Sequence, residues 1–202
     1  MSINKVFLSE TTLDNIETLA LMFRIATEDK NNKHIWNISN NSIAWEDYNS
    51  FHTYLNNDFG NYHLYIAYKD RMMLGVFGML NLSDCAQCAN ILIWADNSVR
   101  KSLLLMRWFI LFLHEAQKKQ VNQWYAKIKL ANTVSLNSSK RYGFTQCDLM
   151  PRHLLETNRD NEEVSCVTRN TSFNNFERKY LKRYLPNIFE DYYGNCNRTK
   201  NE

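Results

Sequence analysis

The sequence predicts an α+β fold: a mixed, largely antiparallel sheet with helices on both faces. Two observations carry this. The alternating stretches "YHLYIAYKD" and "MMLGVFGML" meet at a short polar turn, "KDR" at 69–71, and read as an antiparallel hairpin. Farther along, helical patterns separate successive strand patterns, which places helices between strands of one sheet.

Each element has its own signal. "NKVFLSE" is a short strand. "TTLDNIETLALMFRIATED" spaces Leu13, Ile16, Leu19, Met22 and Ile25 at helical intervals, with Thr11 or Thr12 as its cap and Asp14 in the first turn. "IAWEDYNSFHTYLNN" is a second helix, with Trp45, Tyr48, Phe51, His52 and Leu55 on one face. The hairpin follows, and Gly75 and Gly78 in its second strand permit a bulge or a close approach. "ANILIWA" is the next strand. "LLLMRWFILFL", eleven residues with Arg107 inside, is too short and too charged to span a bilayer and reads as a helix buried on most sides. "QWYAKIKL" alternates as a strand. "NTVSLNSSKRYGF" is a short helix ended by Gly143, and "TQCDLM" and "VSCVTRN" are the last two strands.

The chain divides into a domain over 1–171 and an amphipathic tail over 172–202. In the tail, Phe173, Phe176, Tyr180 and Tyr184 recur at helical spacing among Glu177, Arg178, Lys179, Lys182 and Arg183, up to Pro186. Such a helix packs back on its own domain, or binds a protein partner through residues 173–193, a membrane surface or nucleic acid.

The net charge of +3 is unevenly placed. Residues 98–152 hold 10 Lys/Arg against 2 Asp/Glu, a local +8, while residues 1–97 hold 6 against 11, a local −5. The basic middle favours an anionic partner or balances the acidic first half as a solvated face. No nucleic-acid-binding motif accompanies it, so nucleic acid is not the expected partner. Five cysteines and no secretory leader suggest a reduced, cytoplasmic protein. "CAQC" at 85–88 has no second ligand pair, so no metal is expected.

Three pieces, in order, carry a resemblance: the hairpin with its "G-x-x-G", then "NILIWADNSVRKSLLLMRWFILFLHEAQKKQ", then "IKLANTVSLNSSKRYGF". From Tyr62 to Phe144 the chain resembles the GNAT family of N-acetyltransferases. Asn132, Ser135, Leu136, Gly143 and Phe144 fall at the spacing of that family's late signature. The resemblance implies a GNAT acyltransferase-like fold with a C-terminal helical extension. Acetyl-CoA, or another acyl-CoA, would lie between two splayed central strands.

The same resemblance implies the site. Ile93 and Ala95 of "ANILIWA", the loop residues Ser98, Val99, Arg100, Lys101 and Ser102, and Asn132 would hold the cofactor. The family's loop is rich in glycine; here Asn97–Ser102 has none. Its small residues are Ser98 and Ser102, and Arg100 and Lys101 would compensate with charge. Where many members place a tyrosine as the acid for the leaving thiolate, this chain has Ser139. "ANILIWA" has no carboxylate; Asp84 and Asp96 are the nearest acids, and Glu46 and Asp47 face a possible acceptor groove. Two functions follow from the resemblance. One is an acyl-CoA-dependent N-acyltransferase with a degenerate cofactor loop and weakened cofactor binding. The other is a GNAT-fold structural or interaction protein without catalysis, similar to virion components of short-tailed phages.

Overall fold

A computed structural model describes residues 5–28, 48–59, 61–82, 87–148 and 164–190. In chain order the elements are β1 (Val6–Thr11), α1 (Ile16–Glu28), α2 (Tyr48–Phe59), β2 (His63–Lys69), β3 (Met72–Asn81), β4 (Cys88–Ala95), α3 (Leu103–Lys118), β5 (Gln123–Lys129), α4 (Thr133–Arg141), β6 (Thr145–Gln146), β7 (Val164–Asn170) and α5 (Asn175–Tyr184). Among these residues seven strands form one sheet in the order β1-β2-β3-β4-β5-β7-β6. Every neighbouring pair is antiparallel except β4 and β5, which run parallel. The α+β architecture read from the sequence is the one observed.

Two cores lie on the two faces of the sheet. On one, α3 buries Trp108, Phe109, Phe112 and Leu113 against Phe77, Met79 and Trp124. Each of these large side chains contributes about 1.5–3 kcal/mol of burial free energy. The indole of Trp108 keeps a hydrogen bond to the Tyr68 carbonyl at 3.0 Å, so its polar atom is satisfied inside the core. On the other face, α1 and α2 pack Met22, Ile25, Phe51 and Leu55 over Leu64, Ile66, Val76 and Trp94.

Several local expectations shift. The cap of α1 is Asn15, whose Oδ1 accepts from the Glu17 and Thr18 amides; Thr11 instead ends β1 and bonds the Thr18 hydroxyl at 2.6 Å. Asn serves as well as Thr at such a cap, and the strand ran one residue farther than "NKVFLSE". The described part of the second helix starts at Tyr48, and Trp45 lies outside the described residues. In "TQCDLM" only Thr145 and Gln146 form strand. Gly78 is a true close approach: a Cβ there would sit 2.8 Å from Leu64 Cδ2 and 3.1 Å from the Tyr62 ring. Gly143 caps α4 at φ +81°, as expected of a left-handed glycine.

The C-terminal segment begins inside the main core. Phe173, Tyr180 and Leu181 are buried with the α3 cluster. Asn174 and Glu177 form a capping box at the start of α5. The Glu177 carboxylate also pairs with Arg169 at 2.6 Å, both side chains almost wholly buried. Arg169 in turn donates to the Tyr142 carbonyl at the end of α4 and lies over the Phe109 ring. One guanidinium thus ties β7, α4, α3 and α5 together. Cys88 is in a disulfide, whereas Cys147 and Cys166 are in none. No helix among the described residues is long and apolar enough to cross a membrane, and no group of three metal-ligating side chains is found there.

Candidate functional site

The parallel pair β4 and β5 sits at the centre of the sheet, yet it is paired only at its start. Cys88, Ala89 and Asn90 match Gln123, Trp124 and Tyr125, and no rung follows. Each strand stays fully paired on its other side: β4 with β3 as far as Ala95, and β5 with β7 as far as Lys129. The two strands therefore diverge as a V that opens toward their C-terminal ends. Its walls are half-buried Ile91 and Ile93 on β4 and Ala126 and Ile128 on β5, all packed at the margin of the α3 core. Backbone N–H and C=O groups along such an unpaired edge need partners, and an extended ligand can supply them.

Both helices that follow these strands start at the mouth of the V. The chain leaves β4 through a tight loop organised by Asp96. Its carboxylate accepts from the Ser98 amide at 2.9 Å and the Ser98 hydroxyl at 2.6 Å, and it pairs with Arg24 of α1 at 3.1 Å. Burial pushes the Asp96 carboxyl upward, but the Ser98 bonds with Arg24 and Arg100 outweigh it, leaving it below the ordinary carboxylate value. Arg100 Nε donates to the Ala95 carbonyl at 2.9 Å. The Val99 amide bonds Asp96 O, and the Ser102 amide bonds Val99 O.

The loop thus spends the amides of Ser98, Val99 and Ser102 on its own turns. The Ser102 hydroxyl also turns inward, to Val99 O at 2.8 Å, and makes no cap bond to α3. Among the described residues no side chain accepts from the first-turn amides of α3, which is the arrangement that receives an anion at a helix start. Lys101 is exposed beside them.

The residues expected at a cofactor site divide accordingly. Ile93 lies on the diverging edge. Ala95 and Val99 are buried, and the Ala95 carbonyl holds Arg100. Ser98 and Arg100 shape the loop through Asp96 and Ala95, so their polar groups serve its geometry. Lys101 and the start of α3 face outward. Asn132 is buried and caps α4, its Oδ1 accepting from the Ser135 amide at 2.9 Å.

The two catalytic expectations fare differently. Ser139 is buried, and its hydroxyl donates to the Leu136 carbonyl at 2.8 Å, so its proton is committed within α4. Asp84 lies outside the described residues, as do Glu46 and Asp47. Tyr142, at the end of α4, packs its ring against Phe109 at a tilt, with centroids 4.5 Å apart, and burial pushes its phenol up to about 12 despite Arg141 nearby. It stays protonated at neutral pH.

Two features escaped the sequence reading. The Asp96–Ser98 turn was signalled by an Asp two residues before a Ser at a strand end, but Arg24 comes from 72 residues earlier and no local pattern marks it. At the closed end of the V, Asn90 Nδ2 donates to the Tyr62 hydroxyl at 2.5 Å, while Asn90 Oδ1 is buried without a partner. Strand alternation puts this pair on the α1–α2 face, with Leu92 and Trp94.

A seven-stranded mixed sheet with one splayed parallel pair at its centre matches the fold of the GNAT acetyltransferases. Comparison with solved structures bears this out. A probable GNAT-family acetyltransferase from Chromobacterium violaceum superposes with a TM-score of 0.62 at 16% identity, covering 85% of each chain. Mycobacterium smegmatis RimJ, solved with CoA-disulfide, gives 0.59 at 18% identity over 82% of this chain and 81% of that one. The ribosomal-protein-alanine N-acetyltransferase of Brucella melitensis gives 0.53 at 14% identity over 81% and 99%. No family model matches the chain, and no curated protein matches it in sequence.

Proposed function

We propose that the protein is an acyl-CoA-dependent N-acyltransferase that passes an acetyl group to an amine. The observation that carries this is the V: two central strands, each fully paired on its outer side, part from each other beyond Asn90 and Tyr125. Hydrophobic burial would favour closing such a gap, so strands that part between apolar walls support a place for an extended ligand.

The residues present fit acyl-CoA in part. The unpaired β4 edge from Ile91 to Ala95 would bond the extended pantetheine arm. The open first turn of α3, with Lys101, would hold the pyrophosphate, using side-chain charge and helix amides where glycine-rich loops use loop amides. Acetyl-CoA, when bound, supplies the acetyl group as a thioester. An acceptor would approach from the α1–α2 face, where Asn90 and Tyr62 stand, while Ile91, Ile93 and Ile128 line the opposite, α3 side. β4 itself carries no carboxylate, so the amine would lose its proton to water or to a carboxylate carried by another element. Ser139 does not serve as the acid in this arrangement.

Calorimetry with acetyl-CoA and CoA tests the reading, followed by a thiol-release assay over a panel of small amines and peptide N-termini. A dissociation constant in the micromolar range with turnover supports it; no binding at millimolar ligand defeats it.

One observation favours a second reading, a GNAT-fold interaction protein such as a virion component. On α5, Phe176 and Tyr184 are 58% and 45% exposed, beside exposed Lys179, Lys182 and Arg183. Its one acid, Glu177, is turned inward to Arg169. A basic, aromatic outer face on a firmly anchored helix suits docking of an acidic protein segment. Tight CoA binding without turnover on any amine, together with loss of assembly in a Phe176→Ala, Tyr184→Ala variant, would favour this reading over the enzyme.

A further inference from the structure

Cys147 and Cys166 face each other across the β6–β7 ladder. The register pairs Thr145 with Thr168 and Gln146 with Val167, so the next rung sets Cys147 opposite Cys166. The Cys147 amide donates to the Cys166 carbonyl at 2.9 Å, which confirms that rung. Residues opposite each other in a hydrogen-bonded antiparallel pair have Cα atoms about 5.5 Å apart, within the ~4.4–6.8 Å that a disulfide spans. The two thiols are also hydrogen-bonded to each other, and neither is in a disulfide.

We propose that Cys147 and Cys166 form an oxidisable dithiol, a modification site that small-molecule disulfides convert to an intramolecular cross-strand disulfide. The thiols differ in a way that orders the steps. Cys147 is half-buried and within reach of solvent, whereas Cys166 is 4% exposed. Burial, with the neighbouring Cys147, pushes the Cys166 thiol up to about 11. Cys147 is therefore the attacking thiol. Its thiolate displaces one thiolate from the small disulfide and forms a mixed disulfide. Cys166 then gives its proton to solvent and attacks the Cys147 sulfur, and the second small thiolate leaves. Two protein thiols are oxidised, and one small disulfide is reduced to two thiols.

The site has a structural lever. β6 is two residues long and lies at the sheet edge, joined through Phe144 and Gly143 to the end of α4. Cys166 is also the register partner of Lys127, in the half of β5 that diverges from β4. A covalent link there pins β6, and with it the C-terminal end of α4, to the strand that backs the V.

The test incubates the full chain with oxidised glutathione, blocks remaining thiols with iodoacetamide and maps disulfides by mass spectrometry. The expected result is a peptide joining Cys147 to Cys166, loss of both thiols to alkylation, and a rise in melting temperature that the Cys147→Ser variant does not show. Cys166→Ser should halt at a glutathione adduct on Cys147, and Cys147→Ser should leave Cys166 unmodified. Both thiols remaining alkylatable in the wild-type chain, or a stable glutathione adduct on Cys147 that never passes to Cys166, overturns the proposal. So does a cross-link from either residue to a different cysteine. The readout needs no enzymatic activity, so it stands apart from the acyltransferase reading.

Discussion

The starts of α3 and α5 contrast. At α5 every available group is used: Asn174 and Glu177 close the first turn, and Glu177 also pairs with buried Arg169. At α3 the N-cap residue, Ser102, turns its hydroxyl away and the first turn is left uncapped. A closed start stabilises the fold and offers nothing to a ligand. An open start at the mouth of a cleft gives up about 1 kcal/mol of capping and leaves amides that an anion can take. The contrast implies that changes at α5 should cost stability, and changes at α3 should cost binding.

The largest expected effect is at the closed end. Glu177→Ala leaves the Arg169 guanidinium buried without its partner and should destabilise the protein by about 3–5 kcal/mol in urea unfolding. CoA affinity of the chain that remains folded should hold. A cost under about 1 kcal/mol would show that α5 is peripheral to the core, against the burial of Phe173 and Leu181.

At the open end the order reverses. Lys101→Glu removes an exposed charge and should leave the urea midpoint nearly unchanged. It should weaken CoA binding about tenfold, or ~1.4 kcal/mol, by calorimetry. An unaltered affinity would move the pyrophosphate away from the start of α3. Arg100→Glu is the poorer probe, because Arg100 also holds the Ala95 carbonyl and would disturb the loop itself.

Asn132 belongs with the closed starts in stability, although it stands at the mouth of the V. Asn132→Ala should cost about 1 kcal/mol through loss of the α4 cap. A smaller, pH-dependent effect is expected from Asp96. Its folded carboxyl lies below its unfolded value, so its stabilisation is present above about pH 4 and is lost as pH falls through the folded value. Urea midpoints of wild type and Asp96→Asn should therefore differ at pH 6 and converge toward pH 2. A constant gap across that range would mean that the ion pair with Arg24 contributes nothing.

The architecture was legible because each element carries a local period. The hairpin alternates, the long α3 is apolar on most sides, and Gly143 marks a helix end, so order and type followed from spacing alone. The site was less legible, because its decisive features are relations between distant residues. Arg24 reaches Asp96, Arg169 reaches both Tyr142 and Glu177, and β4 parts from β5 although both sequences look like ordinary strands. The serines show the limit best. Ser98, Ser102 and Ser139 read as available hydroxyls in sequence, but all three bond groups within their own turn or helix. A hydroxyl's partner is set by a backbone geometry that residue type does not disclose.

The sharpest way to break the contrast is to close the open start. Ser102 has extended backbone angles, φ −96° and ψ 158°, which suit an N-cap, and only its side chain fails to act as one. Ser102→Asp supplies a carboxylate that accepts from the α3 amides and interacts favourably with the helix dipole. It should raise stability by about 0.5–1 kcal/mol. The same carboxylate would occupy the position assigned to the pyrophosphate and repel it, so CoA binding should fall as the urea midpoint rises. That opposite movement is the signature of a helix start kept open for a ligand at the expense of stability. If the midpoint rises and affinity holds, the cofactor does not use α3. If the midpoint does not rise, those amides already have partners and the start is not open.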